Sequence, residues 1–350
     1  MCAMTSAQRV FTSLGHQEPD RVPLVLTLTV HGARELGMGI REYFSAAEHV
    51  VEGQLRMQRK YQNDALIGFF HAPLESEAWG GEVVFAEDGP PNSGEPALPA
   101  GAPISALKVP EVSSAPGLGR VLAAISGLKA AAGAEIPILG VVMSPFSLPV
   151  MQLGFPRYLE LLLEDRAGFE QLMALNIPYC QAWANAQLAA GAAAIVYFDP
   201  LASPTMIPRE LYLETGHRVA RRTLPGIHGA TATHLASGRT LGVLDDLAST
   251  GTAAVGVSCR EDLAAVKDRC RGRLSVIGNL NAIEMASWSP SEVEGKVKEA
   301  IEKAAPGGGF LLSDNHGEIP WQVPEDTLLA ISEATRSWGR YPLTWAMAHA

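Results

Sequence analysis

The stretch AAIVYFD, residues 193–199, is apolar through Phe198 and then ends on a carboxylate. A strand with one wet face alternates apolar and polar residues, whereas one that is apolar throughout is covered on both faces, as in a parallel sheet flanked by helices. Seven more runs read as strands: VPLVLTLTV (22–30), ALIGFFH (65–71), PILGVVMS (137–144), GIHGAT (226–231), AAVGVS (253–258), LSVIGNL (274–280) and GFLLSD (309–314). Amphipathic segments lie between them. SPSEVEGKVKEAIEKA offers Ser289 as an N-cap ahead of Pro290, and PEDTLLAISEATRSWG opens on a proline and stops at Gly339. Eight strands joined by crossover helices predict an α/β fold, a closed (β/α)8 TIM barrel. An open doubly wound sheet is the rival, but it would normally carry a glycine-rich phosphate loop after its first strand, and TLTVHGAREL has none. The Pro-, Gly- and Ser-rich segment 88–117 is expected as an irregular excursion over the barrel and a candidate lid within one domain spanning 1–350.

Composition narrows the partners. The chain has 350 residues, 47% of them hydrophobic and 18% charged, enough to bury one large core. Its formal net charge of -10 argues against nucleic-acid backbones and anionic membranes. The arginines of RVARRTL (218–224) are expected on the wet face of a helix. No apolar run reaches the roughly 20 residues needed to span a bilayer, and the first residues lack the apolar core of a secretion signal, so a cytoplasmic location is expected. Cys2, Cys180, Cys259 and Cys270 form no CxxC pair and read as free thiols. Trp321 and Trp338 suggest an exposed patch that would serve a homodimer.

Barrel enzymes carry their chemistry at the C-terminal ends of the strands. Those ends hold His31, His71, Ser144, Asp199, His228, Asn279, Asn281 and the group Asp314, Asn315, His316 and Glu318. Imidazoles and carboxylates converging on one mouth suit zinc binding or proton transfer. His228 and His234 are six apart, which excludes HExxH-type pairing, and His234 is expected on the following loop or helix in a structural or solvated role. DNHGEIP also reads as a plain turn, with Asp314 and Asn315 bonding backbone amides and Gly317 relieving strain.

The stretches QEPDRVPLVL, DALIGFFHAPLESEAWGGEV, AGAAAIVYFDPLASPTMIPRELY, LSVIGNLN and GGGFLLSDNHGEIPWQVPEDTLLAISEATRSWG resemble, in order and spacing, the uroporphyrinogen decarboxylase superfamily. The resemblance covers nearly the whole chain and implies a (β/α)8 barrel. Its decarboxylases carry paired arginines near the first strand and a catalytic Asp after the second, where this chain has TLTVHGAREL and His71. Without those arginines, bidentate binding of substrate carboxylates is poorly supported.

The cobalamin-dependent methyltransferase branch is the better match, through SPFSLPVMQLG and YFDPLAS. In that branch zinc is held by an HxC pair after the fifth strand and a GC pair after the eighth. His228 matches the His, Ala230 stands for the first Cys and His316 for the second. A metal shell would then be His228 and His316 completed by Asp314, Glu318 or Glu77. The resemblance implies a methyltransferase that moves a methyl group between a small methylated compound, expected to be an O-methyl one, and a corrinoid (cobalamin) carried by a partner protein. Zinc would polarise the oxygen. In that reading His228 and His316 are metal ligands or acid/base groups, and Asp199 and Asn279 position the substrate with His31, Ser144 and Asn281. His71 donates a hydrogen bond to the leaving oxygen. A metal-free decarboxylase acting on another substrate, and a non-catalytic barrel that partners a corrinoid protein, remain the alternatives.

Overall fold

The computed structural model describes residues 4–346. Cys2 lies outside them. Seven parallel strands form one curled sheet: β1 Leu66–Ile67, β2 Ile138–Met143, β3 Ala194–Phe198, β4 Ala230–His234, β5 Ala254–Gly256, β6 Ser275–Leu280 and β7 Phe310–Asp314. Neighbours in sequence are neighbours in space throughout. Helices cover the outer face, among them Ala47–Tyr61, Pro116–Ala132, Arg166–Ala190, Pro290–Ala304 and Glu325–Trp338. Ser289 caps the fourth of these in a capping box with Glu292, and Gly339 ends the last. Arg218, Arg221 and Arg222 face solvent from the helix Gly216–Thr223.

The run 22–30 closes the barrel without becoming a ladder strand. On one side it meets β7 through backbone bonds from Val25 N–H to the Leu312 carbonyl (2.8 Å) and from Leu312 N–H to the Pro23 carbonyl (2.9 Å). On the other side, towards β1, side chains replace most of the ladder. Asp64 accepts Leu24 N–H (2.9 Å), Asn63 accepts Leu26 N–H (2.7 Å) and donates to the Leu26 carbonyl (3.0 Å). Gln54 donates to the Leu28 carbonyl (2.7 Å) and accepts Ile67 N–H (3.1 Å). These side chains give Leu24, Leu26, Leu28 and Ile67 the partners that a missing strand pair would leave unmade, and Asp64 N–H adds one backbone bond to the Leu24 carbonyl (2.7 Å). Asp64 also holds Arg9 (2.6 Å) and Arg21 (2.7 Å), which ties helix α1, Ser6–Leu14, across the N-terminal end of the barrel.

Residues on each strand alternate between the helical layer and the barrel interior, as strand geometry requires. Ile195 and Tyr197 are fully buried under helices, whereas Val196 and Phe198 face the interior and are only half-buried. The interior is sealed below by Val10 of α1 packed on Val25, Ala65 and Leu311.

Two expectations change. β4 begins at Ala230, not at 226, because Leu224–Gly226 forms a tight turn and ATATH, an alternating run, supplies the strand. Trp321 and Trp338 form no common patch. Each is half-buried and covered by a cation of this chain, Arg34 over Trp321 at 4.3 Å and Lys298 over Trp338 at 3.8 Å. Cys180 and Cys270 are buried, Cys259 is half-buried, and all three are free thiols. Among the described residues, no helix is long and apolar enough to cross a membrane.

The segment after residue 82 folds over the mouth. It forms a short hairpin, Val83–Val84 against Asn92–Ser93, then buries Leu98, Ile104 and Leu107 in the main core. Asp64→Ala is expected to cost about 2–4 kcal/mol in a urea unfolding titration, since Leu24 N–H loses its acceptor, Arg21 loses its carboxylate and Arg9 is left with Asp20. A change below about 1 kcal/mol would mean that closure does not depend on this carboxylate.

Candidate active site

The turn after β7 builds the mouth. Asp314 Oδ2 accepts the backbone N–H of His316 (3.1 Å) and Gly317 (2.8 Å), and Oδ1 accepts Thr27 N–H (3.1 Å) and the Thr27 hydroxyl. Asn315 accepts Ala282 N–H at 3.1 Å. Asp314 and Asn315 therefore do the structural work read from DNHGEIP, and Gly317 takes φ 91° in the left-handed region. That pinned turn presents His316 and Glu318 to the interior. His316 Nδ1 bonds the Ser237 hydroxyl at 2.6 Å, and the Thr29 hydroxyl donates to the Glu318 carboxylate. Burial, aided by the nearby Asp314 charge and opposed by the Thr29 bond, pushes the Glu318 carboxyl up to about 7.

His234 stands at the C-terminal end of β4, buried in this mouth. Its ring stacks on Phe198 with centroids 5.7 Å apart. It lies where a side chain at Gly256 would otherwise stand, since a Cβ there would meet the ring at 2.2 Å. Ala236 N–H donates to its Nδ1 (3.0 Å), which puts the ring proton on Nε2. Burial lowers its pKa to about 4, so the ring is neutral at neutral pH.

His234, His316 and Glu318 rim one cavity of about 330 Å³, with Pro90, Pro91 and Asn92 of the excursion on the opposite side. Among the described residues, no lysine or arginine lines it.

The other anticipated residues lie elsewhere. His228 precedes β4, at the opposite end of that strand from His234; it is exposed, its N–H bonded to Asn185 at 2.8 Å. A strand over 226–231 places His228 at the mouth; the strand that forms, Ala230–His234, brings His234 there instead. Glu77 is exposed on the helix Pro73–Ala78. His31 is buried against Trp321, with ring centroids 6.0 Å apart, and His71 between Phe44 and Phe85; burial lowers both to about 3. Ser144 and Ser147 both donate to Asp199 Oδ1 at 2.6 Å, so Asp199, raised to about 6 by burial, ties a loop and does not line the cavity. Asn279 donates to the Ser258 carbonyl (3.0 Å) and, with Asn281, lines a separate polar cleft beside Cys259. Asn281 also borders a shallow cleft that reaches His316.

The zinc shell inferred from the resemblance is therefore not assembled. His228 and Glu77 lie away from the mouth, and both Asp314 oxygens are taken. Among the described residues no group of three or more His, Cys, Asp or Glu side chains is placed to hold a metal ion. The donors present do not fit zinc.

A closed parallel barrel with a polar rim over an apolar well defines a class of enzyme sites. Residues 5–338 match the family model described as uroporphyrinogen decarboxylase (URO-D), and the chain belongs to that family. It is 26% identical over 365 residues to a uroporphyrinogen decarboxylase of Xylella fastidiosa, covering 96% of this chain and 100% of the relative. It is 25% identical over 215 residues to the methylcobamide:CoM methyltransferase MtaA of Methanosarcina barkeri, covering 61% of this chain and 62% of the relative. A solved structure titled methyltransferase from Methanosarcina mazei superposes with a TM-score of 0.84 at 20% identity, over 95% of this chain and 99% of that one, a likeness of fold.

Asp314→Ala is expected to lower stability by about 3 kcal/mol or more, because the buried turn loses its acceptor. Thermal melting of the variant and of Asn315→Ala beside wild type measures it; an unchanged midpoint for Asp314→Ala would remove Asp314 as the anchor of the mouth.

Proposed function

We propose that this family member is a methyltransferase that takes a methyl group from the oxygen of a small uncharged compound bound at the mouth and passes it to a corrinoid held by a partner protein. The observation that carries the reading is a cavity lined, among the described residues, by no lysine or arginine. A polycarboxylate porphyrinogen needs guanidinium or ammonium partners, since unpaired carboxylates lose hydration on entering an apolar well. The methyltransferase named among the relatives supports the same direction.

The acid-base requirements follow from the rim. Breaking a C–O bond leaves charge on oxygen, and a proton delivered there makes it a better leaving group. Glu318 is protonated below about 7, so its carboxyl can give that proton, while His234 offers Nε2–H as a second donor to the same oxygen. His316, fixed by Ser237, orients the oxygen from the third side. The methyl carbon then faces outward, which in-line transfer demands. A reduced corrinoid presented there by the partner would supply the nucleophile. Exposed Met206, Leu241 and Ile283 (50%, 41% and 62%) lie on the loops after β3, β4 and β6 and suit contact with such a partner.

Decarboxylation is the second reading, favoured by the full-length relatives named for it. Methyl transfer from a neutral methyl ether to cob(I)alamin, followed by absorbance, tests the first. Glu318→Gln should lower the rate about 10²-fold, and His316→Ala by a similar factor. Because the acid form of Glu318 is lost as pH rises through about 7, the wild-type rate should fall across that range and the Glu318→Gln profile should be flat there. Equal rates for wild type and Glu318→Gln would remove Glu318 from the chemistry.

A further inference from the structure

The interior of a TIM barrel is ordinarily filled by layers of branched side chains. Here it is hollow. The cavity that opens at Glu318 and His316 continues down the barrel axis to Val10 and Leu14 of α1 at the far end. Its width comes from small inward residues on three adjacent strands, Ala194, Ala232, Ala254 and Gly256. Beside them, Leu139 and Val141 of β2, the strand paired with β3, turn accessible apolar faces to the same space. From Ala230 to His234 the strand rises roughly 13 Å at about 3.3 Å per residue, which sets the depth. Below the rim the lining offers hydrocarbon and a few threonine hydroxyls, with no charged side chain. Water gains little in such a space, because it finds too few polar partners.

We propose that this shaft binds the uncharged hydrocarbon tail of the ligand whose polar end lies among His234, His316 and Glu318. The volume, about 330 Å³, falls in the range of small-ligand pockets. The orientation, polar end uppermost, rests on the methyl-transfer reading of the rim; the shaft itself does not. A carboxylate or ammonium at the buried end of the tail is excluded by the cost of stripping its hydration.

The alkylbenzenes from toluene to n-butylbenzene probe the shaft alone, since they carry no ether oxygen and no transferable methyl group. Titrated into the full-length protein by calorimetry, they should bind about fourfold more tightly per added methylene until the shaft is full. 4-Phenylbutyrate and 4-phenylbutylammonium should each bind at least tenfold more weakly than n-butylbenzene. Ala232→Leu, which fills the middle of the shaft, should abolish the gain with chain length, and Ala194→Val should reduce it. Affinity that is flat along the series, or n-butylbenzene binding to a folded Ala232→Leu protein as tightly as to wild type, would overturn the proposal. If Ala232→Leu does not fold, the wild-type series and Ala194→Val decide. Failure here leaves the methyl-transfer reading standing, and failure of methyl transfer leaves these binding results intact.

Discussion

The barrel closes on side chains. Where a (β/α)8 sheet would continue its backbone ladder between the first run and β1, Asp64, Asn63 and Gln54 take the hydrogen bonds of Leu24, Leu26, Leu28 and Ile67. A carboxylate that accepts a buried N–H and two guanidinium groups is a strong, directional joint, and it is costly to leave half made. One side of the mouth takes its position from the same run. Thr27 and Thr29 sit on the closing run and grip Asp314 and Glu318, so the rim is held at the same seam that shuts the barrel.

The hollow interior has the complementary cost. Packing a core to normal density would stabilise the chain, and the small residues inside β3, β4 and β5 forgo that contact. The main core lies instead between sheet and helices, where Tyr197, Trp183 and Phe169 are fully buried. Stability is thus concentrated in the outer layer, and the axis is left free for a ligand. The rim above it combines one neutral imidazole, one carboxyl near its midpoint at neutral pH and a hydroxyl-anchored second histidine. Environments that set titratable groups apart in this way are typical of sites that move protons.

Much of this was legible in the sequence where one physical signal dominated. Runs such as AAIVYFD and PILGVVMS announced buried parallel strands because both faces are covered, and DNHGEIP announced a turn with groups to spare. Legibility failed where two signals competed. GIHGAT looked more strand-like than ATATH by apolar content, yet Pro225 and Gly226 start a turn and the alternation of ATATH marks the true strand. A strand set at 226–231 brings His228 to the mouth, whereas the strand at 230–234 brings His234. Counting the period of two against apolar content would have found it. Nothing in VPLVLTLTV marks that its bonds towards β1 fall mostly to side chains, since that closure depends on Asn63 and Asp64, far away in sequence. Nor could the absence of cations around the cavity be read without knowing which residues line it.

The central claim is that this mouth handles a neutral methyl donor and not a carboxylate-rich macrocycle. Anaerobic incubation of the protein with carboxyl-labelled uroporphyrinogen, counting released carbon dioxide, tests it most directly when run beside a true decarboxylase. The account predicts release no faster than without protein. Sustained release that is saturable in substrate and abolished by filling the mouth would contradict it.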